Sequence, residues 1–140
     1  MSTAVGLAAV SLALLSIPEF VTIDLEPAHV VGAGGALGAI CRHGVYSRLE
    51  ADGFPLATFV VNVLGSFLFG VVLFAGAGET TLEFVGVGFC GAFTTFSTFS
   101  VETVQLWEAG ERRLAVVNAL SNLLVSLAGI GLAWGLLAAV

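Results

Sequence analysis

The chain has 140 residues, 58% of them hydrophobic and only 10% charged, and a mean hydropathy of +1.07. Soluble domains carry about 25% charged residues, so this chain cannot cover a water-facing surface with polar groups, and the bilayer is its natural solvent. Four arginines against ten acids, with no lysine, give a formal charge of −6; that excludes a nucleic-acid partner, which needs a basic face, and a polybasic membrane-surface protein.

Cys41 and Cys90 stand singly in apolar stretches, outside any CxxC or Cys/His cluster, and read as small buried hydrophobes rather than a zinc or redox site. Residues 1–27 stand apart from the rest. Their apolar run, 4–17, is too short to span and is followed by Pro18, Glu19, Asp24, Glu26 and Pro27. A secretory signal would want a basic start, which is absent. This N-terminal segment is expected to be an interfacial helix or disordered.

Residues 28–140 are expected to form one domain of four membrane-spanning helices. Charged residues are missing from 27–41, 53–78, 84–101 and 114–140. A span needs about 20 mostly apolar residues, which places helices over about 28–46, 56–76, 82–107 and 114–138. Their short connections hold the turn and charge signals, and Gly110 is the expected stop of the third helix. Arg42, Arg48, Arg112 and Arg113 all fall towards one side. Positive charge prefers the cytoplasm, so both termini should lie outside.

In the first span, Gly32, Gly35, Ala36, Gly38 and Ala39, with Gly34-xxx-Gly38, are small residues at helical spacing, a pattern that lets two backbones approach closely in lipid. Arg42 is either an interfacial anchor or a residue that holds the fold or draws in anions, because a charge in a span is costly. His29 and His43 lie near the ends of that helix and read as interfacial residues. In the second span Asn62 has Thr58 four residues before it and Ser66 four after on one face. It serves either as an interhelical hydrogen-bonding residue or as a donor lining a water-filled path.

The third span reads GFCGAFTTFSTFSVE over 88–102. Residues 94–100 are only threonine, serine and phenylalanine, types that lose rotamer freedom in a helix or offer it competing hydrogen bonds. An interruption is expected here, although an intact helix with hydroxyls bonded to the preceding turn is the alternative. Freed carbonyls at membrane depth are tolerated only inside protein or a polar cavity, where they can hold a hard cation. Phe96 and Phe99 can offer electropositive ring edges to an anion. In the fourth span Asn118, Asn122 and Ser126 form a stripe at i, i+4, i+8, with Ser121 beside it, that must face protein or water.

These strings, in this order and over about residues 28–140, resemble the CrcB/Fluc family of fluoride channels. The core of the likeness is GFCGAFTTFSTFSVE, supported by GAGGALGAICRHG and ATFVVNVLGSFLFG. The resemblance implies an antiparallel dimer with two fluoride pores and a structural sodium ion at the centre of the interface, held by the backbone carbonyls of Gly91 and Thr94. It also implies pore residues Asn62, Phe96, Phe99, Thr58 and Ser126, with Arg42 structural or anion-attracting. Asn122 stands where the family pattern has a tyrosine, and Ala92 replaces a glycine. The implied function is fluoride export across the cell membrane by a multi-pass protein. The dimer is expected to form with itself or with an oppositely oriented relative, and the four-to-zero arginine bias favours the relative. No paired acids, nucleophile–base pair or phosphate loop points to an enzyme. A non-conducting assembly subunit is the alternative reading. A small multidrug transporter, the other four-span antiparallel dimer, would need an acid deep in the first helix, and 27–41 holds none.

Overall fold

The computed structural model describes residues 25–49 and 53–139, and every element in them is helical. Helix α1 spans Leu25–Tyr46 and α2 spans Leu56–Phe74. The third arm is composite: α3 (Glu79–Thr81), a π-helical segment (Leu82–Cys90), α4 (Gly91–Phe93) and, after a break, α5 (Phe96–Glu108). Helix α6 spans Arg112–Ala138. The expectation for residues 1–27 falls outside the described residues up to 24, and α1 begins at 25, three positions before the expected start.

Three stretches are long and apolar enough to cross a membrane: Leu56–Phe74, the whole arm Glu79–Glu108, and Arg112–Ala138. Helix α1 has the length, 22 residues, but His29, Arg42, His43 and its glycines dilute its apolarity, and it is not among the three. Among the described residues, three of the four expected spans meet that measure.

The turn after α5 shows how local sequence sets the topology. Gly110 takes φ +84°, a left-handed conformation that costs glycine nothing. Its N–H donates to the Trp107 carbonyl at 3.1 Å, and the Glu111 N–H donates to the Leu106 carbonyl at 2.9 Å, the paired bonds of a Schellman cap. The chain reverses at once into α6, with the Arg112 guanidinium 5.3 Å from the Trp107 ring centre.

Two helix pairs make the body. Helix α2 lies along α6, where Gly70 meets Ile130 and Ala133, and Gly129 meets Val63 and Phe67. Helix α1 lies along the π-helical segment at closer range. A Cβ on Gly34 would collide with the Phe84 carbonyl, one on Gly38 with the Phe89 carbonyl, and one on Gly88 with the Val31 carbonyl. The small-residue pattern of the first span is thus an intrachain seam where two backbones touch.

The burial pattern inverts that of a soluble bundle. Thr58 and Asn118 are wholly buried and Thr95 and Asn122 nearly so, whereas Leu120, Leu123, Leu124, Leu127 and Trp134 on α6 face outward. Polar groups gather inside because hydrocarbon offers them no partner, and apolar ones face out at no cost. The seam sets a test. Gly38→Val should destabilise the fold by about 1–3 kcal/mol through overpacking, read as a lower unfolding midpoint in detergent. Gly35→Ala, whose Cβ would find its nearest neighbour at an ordinary 3.8 Å, should leave that midpoint unchanged.

Candidate functional site

The backbone leaves the helix at Thr94 (φ −79°, ψ 164°) and Thr95 (φ −149°, ψ 116°) and resumes it at Phe96. Branching at Cβ favours such extended values, and each threonine hydroxyl satisfies one of the two ends it creates. Thr94 Oγ1 donates to the Cys90 carbonyl at 2.9 Å, closing the first half of the arm. Thr95 Oγ1 accepts the Thr98 N–H at 3.2 Å, the N-cap bond that opens α5. Beyond the break the hydroxyls behave as in an intact helix, Ser100 donating to the Phe96 carbonyl and Thr103 to the Phe99 carbonyl. The interruption is therefore confined to two residues.

Asn62 holds the break open from α2. Its Oδ1 accepts the Thr95 N–H at 2.8 Å, and its Nδ2 donates to the Thr95 carbonyl at 3.2 Å. One side-chain amide thus satisfies both polar groups of an extended residue, as a neighbouring strand would. The other Nδ2 proton goes to Asn122 Oδ1 at 3.0 Å, so both donors of Asn62 are engaged. The interhelical role open to this residue is thus filled by three hydrogen bonds.

The clamp frees carbonyls. In an unbroken helix the Thr95 N–H would bond to Gly91 and the Thr98 N–H to Thr94; here they go to Asn62 and to Thr95 Oγ1. The Thr94 carbonyl accepts instead from Arg42 Nη1 at 3.1 Å. Arg42 therefore reaches the break from α1. Gly91 is exposed, with nothing within 4 Å of where a Cβ would sit. The Gly91 and Thr94 carbonyls suit a hard cation in kind, but two oxygens from one chain, one of them already taking an arginine, are an incomplete shell.

Beside the break lies a cavity of about 300 Å³ lined by Asn62, Ser66, Phe96, Phe99, Asn122 and Ser126, among others. Four of the five expected pore residues, Asn62, Phe96, Phe99 and Ser126, meet here. The Phe96 and Phe99 rings are 5.7 Å apart, and Phe96 is 80% exposed. Ser126 Oγ is buried with no hydrogen-bond partner among the described residues. The N-terminus of α5 adds its positive end to the same place. The site can receive a small anion by hydroxyl donor, ring edge and helix dipole, without any fixed positive charge in its wall.

Thr58, the fifth expected residue, lies elsewhere. It is wholly buried, its hydroxyl 2.6 Å from that of Tyr46. A second cavity of about 360 Å³ is lined by Phe54, Pro55, Glu102 and Gln105, and Glu102 Oε2 is buried without a partner among the described residues. Sequence reasoning assigned no role to Tyr46, Thr95, Asn118 or Glu102. Thr95 carried a signal in its place within the 94–100 string, and Asn118 in its place on the polar stripe of the fourth span.

Fold and site together define a multi-pass helical membrane protein whose third arm is broken at an anion-compatible cavity. Residues 29–135 match the family described as CrcB-like protein, camphor resistance (CrcB), and the chain belongs to that family. It is 56% identical over 81% of its length, and 96% of the relative's, to fluoride-specific ion channel FluC 2 of Haloarcula marismortui. It is 48% identical to fluoride-specific ion channel FluC 2 of Natronomonas pharaonis, over 79% of this chain and 96% of that one. With fluoride-specific ion channel FluC 1 of Halobacterium salinarum it shares 46% identity, over 80% and 94%. These relatives are named as ion channels and not as enzymes.

The clamp predicts a stability effect. Asn62→Leu strands the Thr95 N–H and carbonyl, each worth about 1–3 kcal/mol when buried unpaired. Thermal unfolding in detergent should shift down by more than for Ser66→Ala, which removes a hydroxyl from the same cavity but no contact with the break.

Proposed function

We propose that this protein is a fluoride channel of the cell membrane that lets fluoride out and so lowers its cytoplasmic level. The observation that carries the reading is the cavity at the helix break, where Ser126 Oγ is buried without a partner among the described residues, beside the Phe96 and Phe99 rings. A desolvated hydroxyl without a partner costs about 1–3 kcal/mol, and an anion accepting its proton removes that cost. Fluoride is small and strongly hydrated, so its water must be replaced by good donors. Hydroxyls and ring edges do this weakly enough for the ion to leave. The named function of the close relatives supports the same ion.

Four spans are proposed, with α1 as the first, shielded by its seam against the π-helical segment. The exposed side of the break suits a second copy packed antiparallel, which would complete two pores and bring two more carbonyls to the centre. There Gly91 and Thr94 would hold a sodium ion whose role is to fasten the interface. The second copy is this same chain or an oppositely oriented relative, as the one-sided arginines favour, with lipid around the dimer. Cells acidified from outside take up hydrofluoric acid, which dissociates in the neutral cytoplasm and traps fluoride there, so a passive fluoride path suffices for protection.

Purified protein in liposomes should pass fluoride rapidly, exclude chloride and need no proton gradient. Phe96→Ile or Phe99→Ile should abolish that flux while the protein stays monodisperse in the same oligomeric state. Wild-type flux from both variants would mean that the ion takes another route, and no flux from the unaltered chain would make it a non-conducting subunit.

A further inference from the structure

Asn118 lies wholly buried on α6 and does not line the cavity at the break, yet it stands inside the hydrogen-bond chain that ends there. That chain has a single direction. Thr103 Oγ1 donates to the Phe99 carbonyl at 2.7 Å, so its proton is committed and it can only accept from Asn118 Nδ2, at 2.8 Å. Asn118 must then turn its Oδ1 the other way, where it accepts from Asn122 Nδ2 at 2.9 Å, the second Nδ2 proton going to the Asn118 carbonyl at 3.0 Å. Asn122 accordingly presents Oδ1, not N–H, to Asn62. Asn62 answers with Nδ2 and keeps its own Oδ1 for the Thr95 N–H. Three amides in series carry one orientation from the backbone of Phe99 to the backbone of Thr95.

We infer that Asn118 is a positioning residue for the ion path, acting through Asn122 and Asn62 on the Thr95 peptide and so on the pose of Phe96 and Phe99. The inference rests on the channel reading above. Its physical basis is that an amide can be reversed by rotation of its last torsion at little intrinsic cost, so an amide network has one pose only when an end is pinned by a group that cannot reverse. Thr103 Oγ1 pins one end of the series and the Thr95 N–H the other, with the Asn118 main-chain carbonyl holding one Asn122 N–H between them. Without the Asn118 side chain, Asn122 keeps only the Asn118 main-chain carbonyl as acceptor for its two N–H groups, its amide is held by one hydrogen bond instead of two, and the Oδ1 it presents to Asn62 is less firmly placed.

The experiment is fluoride efflux from liposomes, with chloride efflux measured beside it, on detergent-monodisperse protein. Asn118→Leu, similar in volume, should lower fluoride flux about tenfold or more, as loss of an orienting partner does at other sites, and raise the chloride share. Asn118→Asp should restore flux to near wild type, because the buried acid keeps the pattern, its O–H donating to Thr103 and its carbonyl oxygen accepting from Asn122. A purely space-filling role would not separate these two variants. Thr103→Val leaves Asn118 in place and unpins it, so it should show the same relaxed selectivity, and it carries the test if Asn118→Leu does not fold. Wild-type flux and selectivity in Asn118→Leu, or in Thr103→Val, would overturn the inference, as would equal loss in the Leu and Asp variants. Flux from the unaltered chain with indifferent variants sinks this inference alone; no flux from the unaltered chain sinks the channel reading with it.

Discussion

The structure turns on the grip of one side-chain amide on one peptide. Thr95 sits nearly buried in an extended conformation inside an otherwise helical arm, where an unpaired N–H and carbonyl would cost several kcal/mol each in a hydrocarbon setting. Asn62 meets both at 2.8 and 3.2 Å. Without that contact the cheapest remedy for the backbone is to close into a continuous helix. The Gly91 and Thr94 carbonyls would then return to intrahelical bonds, Arg42 would lose its acceptor, and the α5 N-terminus beside the cavity would cease to exist.

Much of the remaining architecture serves to bring Asn62 and Thr95 together. The α2–α6 pairing fixes where Asn62 projects, with Asn122 on its other side. The α1 seam, set by backbone collisions that any Cβ at Gly34, Gly38 or Gly88 would cause, places the first half of the arm and carries Arg42 to the freed Thr94 carbonyl. The two halves of the arm also meet with opposite dipole ends, a carbonyl terminus towards Arg42 and an amide terminus towards the cavity. Charge selectivity can thus be built largely from neutral groups, which attract an ion without holding it.

The sequence was most informative where composition was extreme. Seven consecutive threonine, serine and phenylalanine residues at membrane depth conflict with helix formation strongly enough to locate the break, and Asn62 and Ser126 stand out as polar residues with no business in lipid. Which half of the string would break was not legible. Residues 96–100 belong to the same threonine, serine and phenylalanine string as 94–95 yet are helical, because only Thr95 finds a tertiary partner for both its N–H and its carbonyl. Tyr46 and Glu102 escaped notice for a related reason. Each sits near a predicted helix end, where a polar residue is ordinarily solvated, and only the packing of α1, α2 and α5 reveals that their surroundings are buried. The resemblance groups Thr58 with the pore residues, whereas its hydroxyl lies one turn from Asn62 and meets Tyr46. The apolarity of α1 was overestimated, since its glycines are small rather than oily and serve contact with the neighbouring backbone.

The outward position of Phe96 and the bare turn at Gly91 bear on how such a protein is made. A solitary chain newly released into the bilayer would present an opened stretch of main chain and a polar hollow to acyl tails, surfaces that lipid solvates poorly. Any surface that covered that side would therefore be thermodynamically coupled to folding of the finished helix break.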